Sequence, residues 1–231
     1  MEISENLETI QTQIAEAARQ SGRSSDAVTL IAVTKTHPPE TILEACDAGQ
    51  WVFGENRVQE ALAKIPLLPG RCQWHLIGHL QKNKIRKALP AFALLHGIDS
   101  LELAQNVNRI AEELGLFPRI LLEVNIAGEA SKFGFSPEHI DKDLSALLSL
   151  DRLQIDGLMG MAPIVKNPEE ARPYFARLRE IRDRLAKESG CPLSTLSMGM
   201  SSDFQQAILE GATLVRVGSA IFGNRKTAEK I

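Results

Sequence analysis

Cysteine is scarce: the 231 residues hold three, Cys46, Cys72 and Cys191, widely spaced and odd in number. They make no CxxC pair and no disulfide framework, which fits a reducing cytoplasm. Long apolar runs are missing too. No stretch approaches the ~20 apolar residues that a membrane helix needs, so no membrane contact is expected. The first twenty residues, MEISENLETIQTQIAEAARQ, are acidic and helical in pattern, unlike a signal peptide. There is no excess of basic charge: 26 Lys and Arg against 29 Asp and Glu leave a formal net charge of -3, which argues against a nucleic-acid partner. The only dense basic run, Lys82, Lys84, Arg86 and Lys87, reads as a solvated helix start. HExxH, GxSxG, GxGxxG and the P-loop pattern are absent, which weakens metalloprotease, serine hydrolase and Walker-type NTPase readings.

What is present is alternation. With 44% hydrophobic residues the chain can bury a full core. Residues 3–20 place Ile3, Leu7, Ile10, Ile14 and Ala17 at helical spacing. Eight short apolar runs then read as strands: 28–35, 51–56, 72–80, 92–99, 119–127, 153–161, 193–200 and 212–218. Helical patterns separate them, and Ser100 stands as an N-cap. Eight βα units in this length predict one (β/α)8 barrel domain over residues 1–231, with the extra N-terminal helix plugging or flanking its bottom. A doubly wound open sheet is the alternative, lowered by the missing Gly-rich first turn.

In a barrel, ligands sit at the C-terminal ends of the strands. Lys35 ends the first apolar run there. A lysine in a dry site loses its proton readily and condenses with an aldehyde or ketone. The plainer reading is a lysine that snorkels outward or pairs with Glu55. The runs after strands seven and eight, SMGMSSDF and VRVGSAIFG, open short helices with Gly and hydroxyl residues, the usual phosphate-binding position in barrels. Arg216 lies inside an apolar strand and needs a partner. The candidates are Glu123, Asp156 or a ring nitrogen of a ligand. A lysine for an aldehyde, a phosphate cradle and a cation for a ring nitrogen describe pyridoxal phosphate. A Schiff-base aldolase for sugar phosphates would share the first two features.

The segments IAVTKTHP, FGENRVQE, WHLIGHLQKNK, GLMGMAP, LSMGMSSDF and VRVGSAIFG, in that order over residues 3–225, resemble the pyridoxal phosphate homeostasis protein family. The resemblance implies an alanine-racemase-like barrel that binds pyridoxal 5'-phosphate in the cytoplasm without established turnover. It implies that Lys35 holds the cofactor as an internal aldimine and that Arg216 faces the pyridine nitrogen. Ser201, Gly218 and Ser219 would bind the phosphate, and Asn56 and His79 would flank the ring. Met198 and Met161 would line the pocket, though packing explains them equally well. Thirteen residues follow Gly218, too few for the second domain of a racemase, so a holder of the cofactor is expected rather than a strong catalyst. A racemase or Schiff-base lyase of low activity is the alternative. Apo pyridoxal-phosphate enzymes are candidate partners, and a monomer or weak dimer is expected.

His75 and His79 fall on one face of the third strand by alternation, with no third ligand for a metal. GEASKFGF, with Glu129 and Lys132, reads as a turn at the rim.

Overall fold

The structure is a computed structural model that describes residues 2–129 and 133–223. Eight parallel strands close into a barrel in sequence order. They are β1 (Thr29–Val33), β2 (Val52–Glu55), β3 (Gln73–Leu76), β4 (Leu94–Ile98), β5 (Arg119–Val124), β6 (Gln154–Gly160), β7 (Thr195–Ser197) and β8 (Leu214–Val217). Pairing of β1 with β8, from Thr29 opposite Leu214 to Ala32 opposite Val217, closes the ring. The open doubly wound sheet is thereby excluded. The strands are shorter than the apolar runs that announce them, because each run also includes the residues of the loop at the barrel mouth.

The helices among the described residues are α1 (Ile3–Gln20), α2 (Pro39–Asp47), α3 (Val58–Lys64), α4 (Ile85–Ala88), α5 (Leu101–Leu114), α6 (Ile140–Leu148), α7 (Arg172–Ser189), α8 (Phe204–Leu209) and α9 (Ser219–Phe222). Strand alternation divides the apolar residues into two sets. Outward residues such as Leu30, Ala32, Phe53, Leu76, Leu122 and Leu196 join the inner faces of the helices in one cluster. Inward residues Leu94, Leu121 and Met159, with Met161 and Leu214, form a second small cluster. The interior is therefore packed at that level, as barrels of this kind require.

The extra helix α1 flanks the barrel and does not plug it. It buries Leu7, Ile10, Ile14, Ala17 and Ala18 and packs against α8, α9 and α2. Asn6 Nδ2 donates to the Ile221 carbonyl at 2.8 Å, and Arg23 just beyond α1 donates to the carbonyls of Ala212 and Ile208 at 2.9 and 2.5 Å. Asn6 thus ties α1 to α9, and Arg23 binds carbonyl groups left free where α8 stops. Burial of its three large side chains contributes about 1.5–3 kcal/mol each. Ile10→Ala is expected to cost about 2–5 kcal/mol in urea unfolding, because the site is 5% exposed and cannot refill. A loss under 0.5 kcal/mol would show that α1 is detached in solution.

Candidate active site at the barrel mouth

A cavity of about 790 Å³ opens at the C-terminal ends of the strands. Its lining includes Lys35, Asn56, His79, Ser201, Arg216, Gly218 and Ser219, seven of the eight residues singled out from the sequence. It also includes Glu123, Phe133, Met161, Met200 and Ser202.

Lys35 stands in the turn two residues beyond β1 and is half-buried, less dry than the sequence suggests. Its backbone neighbours are fixed by a buried charge cluster. Lys64 Nζ donates to the Thr34 carbonyl at 2.9 Å, to Glu55 Oε1 at 2.8 Å and to Glu60 Oε1 at 2.6 Å. Thr34 Oγ1 donates to Glu55 Oε1 at 2.7 Å, and the Thr36 N–H donates to Glu60 Oε1 at 2.5 Å. Thr36 adopts φ 69°, a left-handed conformation that a β-branched residue resists. The Glu60 bond holds that turn, so residues on both sides of Lys35 are held by one cluster. Glu55 therefore pairs with Lys64 and not with Lys35. Burial pushes its carboxyl up, the Lys64 and Thr34 bonds pull it back, and Oε2 has no partner.

Arg216 reaches inward from β8 and is 5% exposed. Nη1 donates to Ser197 Oγ at 2.5 Å and Nη2 to the Gly160 carbonyl at 3.2 Å. Asp156 is not its partner: that carboxylate accepts from Arg119 Nε at 2.7 Å, at the opposite ends of the strands. Burial lowers the guanidinium to about 10, against the pull of Glu123 and Asp203, so it remains a cation at neutral pH. The hydrogen bonds continue across the interior. Ser197 Oγ lies 2.9 Å from His96 Nδ1, and His96 Nε2 lies 3.1 Å from His75 Nδ1. Arg216 can only donate, so the arrangement that leaves the Ser197 hydroxyl proton with an acceptor runs one way. The Ser197 hydroxyl donates to His96 Nδ1, and His96 Nε2–H donates to His75 Nδ1. Both rings are then neutral. Burial agrees, lowering His75 to about 4 and His96 well below its ordinary value.

The loops after β7 and β8 meet at the candidate phosphate cradle. The Gly218 N–H donates to Ser201 Oγ at 3.2 Å, and Gly218 carries an N–H at the opening of α9. A Cβ on Gly218 would lie 3.2 Å from the Val33 side chain and 3.3 Å from its carbonyl, so a larger residue would press this loop a few tenths of an ångström away from β1. The Met200 N–H donates to Asp203 Oδ1 at 2.7 Å, which folds the β7 loop over the same place.

Met198 does not line the cavity. It is fully buried in the main cluster between strands and helices. Ser197 points into the barrel, so its neighbour Met198 points out; β7 ends at Ser197 and the chain turns at Gly199 (φ 89°), which lets Met200 reach the cavity. Met161 does line it, as expected. His75 and His79 also part company. His75 lies within the barrel, whereas His79 stands at the rim, with Nδ1 2.9 Å from Asp99 Oδ2 and its ring stacked on Phe133 at 4.2 Å. No group of three metal-ligating side chains occurs among the described residues. Lys132 of the rim segment lies outside the described residues. The residues the sequence reading missed were Glu123 as a lining group, and His96 and Ser197. Each sits in an apolar strand, where a polar residue at an inward position is itself a signal.

Lys64→Met would leave the Glu55 carboxyl, fully buried, without its cation. We expect a loss of about 3–5 kcal/mol in urea unfolding, and no loss would show that the cluster is hydrated. The histidines predict a pH dependence. Between its ordinary 6.5 and about 4, His75 binds a proton unfolded but not folded, so stability falls as pH drops through that window. The slope is ~1.4 kcal/mol per pH unit. Burial raises the Glu123 carboxyl to about 7, so between 4.5 and 7 it keeps its proton only when folded and acts with opposite sign. His75→Gln is expected to flatten the acid limb of a stability–pH curve, and Glu123→Gln to steepen it.

The family defined by the alanine racemase N-terminal domain matches residues 6–226. A pyridoxal phosphate homeostasis protein of Aquifex aeolicus is 41% identical over 98% of this chain and 100% of its own length. Structures of PipY from Synechococcus elongatus, without and with PLP bound, superpose with TM-scores of 0.87 and 0.84 at 42% and 41% identity, covering 96% of this chain and all of that one. An alanine racemase of Clostridium difficile shares the fold at 16% identity and TM-score 0.75, this chain covering 59% of it. On these matches, which run nearly end to end, the chain belongs to the pyridoxal phosphate homeostasis protein family.

Proposed function

We propose that this protein binds pyridoxal 5'-phosphate at the barrel mouth and serves cytoplasmic homeostasis of that cofactor, holding it without strong catalysis. The single observation that carries the reading is convergence. Lys35, Arg216 and the joined Ser201 and Gly218 loops line one cavity, and each suits one chemical handle of the cofactor. The names of its full-length relatives and the PLP-bound PipY support it. When bound, the cofactor supplies an aldehyde that condenses with amines and a ring that withdraws electrons.

The protein's part is to bind and to withhold. Lys35 would offer its amine to the aldehyde from a turn held by Lys64, Glu55 and Glu60. Ser201, Gly218 and Ser219 would take the phosphate through hydroxyl and N–H groups. Asn56 and His79 would flank the ring. Arg216 would face the ring nitrogen as a cation whose two terminal nitrogens already donate to Ser197 and Gly160. Guanidinium gives up its proton too reluctantly to protonate a pyridine. The ring would then withdraw electrons weakly, which suits storage and delivery better than turnover. One barrel domain over 1–231 suffices for this task, and apo enzymes that require the cofactor are the expected recipients.

Purified protein mixed with the cofactor is expected to develop a visible absorption band. Borohydride should fix the adduct to Lys35 on peptide mapping, and Lys35→Ala should lose band and adduct while keeping its fold by circular dichroism. Wild-type protein that takes up no cofactor would overturn the reading. Exchange of the α-hydrogen of alanine or serine well above the rate with free cofactor would replace it with a weak racemase or lyase.

A further inference from the structure

The cavity holds a carboxyl that the cofactor reading does not use. Glu123 lies on β5, opposite β1 in the ring of eight strands, so it faces Lys35 across the mouth. Glu123 is 7% exposed and lines the cavity, yet its side chain makes no hydrogen bond or ion pair among the described residues. A buried carboxyl of this kind normally has a partner. The surroundings tell what sort of partner fits. Arg216 approaches from β8 and Asp99 from the end of β4, and both act on Glu123 electrostatically. Asp99 is itself engaged, accepting from Ser100 Oγ at 3.1 Å and lying against His79. Among the described lining residues the other ammonium or guanidinium is Lys35, across the mouth.

Among the described residues, Glu123 and Asp99 share one guanidinium, Arg216, on which Asp203 also acts, so an ionised Glu123 brings negative charge in excess. The wall beside it is apolar: Phe133, Ile77 and Met161 line the same cavity. Phe133 is held by its stack on His79 and by the bridge between Phe135 and Val124, which brings its loop back beside β5. At about 790 Å³ the cavity lies in the upper part of the ~300–1,000 Å³ span of small-molecule sites, with room beside a bound ring.

We infer that Glu123 is the anchor of a second subsite, which takes the ammonium group of a small primary amine whose short apolar tail rests on Phe133, Ile77 and Met161. An amine seated there lies in the same cavity as Lys35. The inference thus gives the proposed cofactor site a ligand class of its own: the amino compounds with which an aldehyde cofactor reacts. Burial keeps the empty carboxyl protonated to about neutral pH, so the arriving cation displaces that proton and forms a charge-assisted hydrogen bond.

The test uses protein free of cofactor, so it stands or falls independently of cofactor loading at Lys35. Wild-type protein labelled with ¹³C at glutamate carboxyls is titrated by NMR, with Glu123→Gln identifying the resonance. The probe is ethylammonium chloride. The controls are sodium chloride and tetramethylammonium chloride at equal ionic strength, the second having no N–H to donate. The Glu123 titration midpoint is expected near 7 without probe and lower by about one unit or more when ethylammonium saturates. Neither control should move it as far. Phe133→Ala, at a side chain on the rim, should keep the fold and weaken the probe several-fold. Equal shifts with all three salts, or a midpoint insensitive to ethylammonium, would overturn the inference.

Discussion

A guanidinium inside a closed barrel cannot be left without acceptors, and that constraint organises the interior of this one. Arg216 is nearly inaccessible, and an isolated charge at such depth would be prohibitively costly. Its two terminal nitrogens are met by the Ser197 hydroxyl and the Gly160 carbonyl. The Ser197 hydroxyl proton finds an acceptor in this chain when His96 accepts at Nδ1 and donates at Nε2 to His75. The chain runs in one direction, away from the cation, and keeps both histidines neutral. Packed apolar side chains occupy the interior as well, as Leu94, Leu121 and Met159 do. The barrel thus carries a polar layer only because one residue of β8 is an arginine that serves the mouth.

Lys35 is positioned by a different device. Buried Lys64 and Glu55, with half-buried Glu60, act on backbone, binding the Thr34 carbonyl and the Thr36 N–H. Such clusters contribute little net stability relative to an apolar replacement, because desolvating the charges offsets their attraction. What this one supplies is geometry: a left-handed turn at Thr36, unfavourable for threonine, is held in place. Strain and charge are concentrated next to the residue whose direction matters, and the rest of β1 is plain apolar strand.

Much of this was legible in the sequence, and for identifiable reasons. The eight runs and the closed barrel followed from hydrophobic alternation, which depends only on which face of a strand is buried. Lys35, Ser201, Arg216, Gly218 and Ser219 were singled out from the chemistry at strand ends and from the family resemblance, and they line one cavity. Met198 failed for a reason within the same logic. The run SMGM offers two methionines on one side and a serine and a glycine on the other, and only the inward Ser197 reveals which is which. Placing α1 beside α8 and α9 was beyond reach, since helix packing between distant segments leaves no local mark. His96 looked like part of an apolar strand, and its role depends on a residue 101 positions away.

The fold itself does not separate a carrier from a racemase, since the Clostridium difficile enzyme shares it at 16% identity. The difference must lie in what the site does with protons. Carbanion chemistry needs groups poised to exchange protons near neutral pH. Here the group assigned to the ring is a cation held near 10, and the histidines behind it are locked neutral by the chain that supports it. Burial raises the Glu123 carboxyl to about 7, across the barrel from the lysine turn. Arg216 and Glu123 thus act on each other on one side of the cavity, with the Lys35 turn across the mouth.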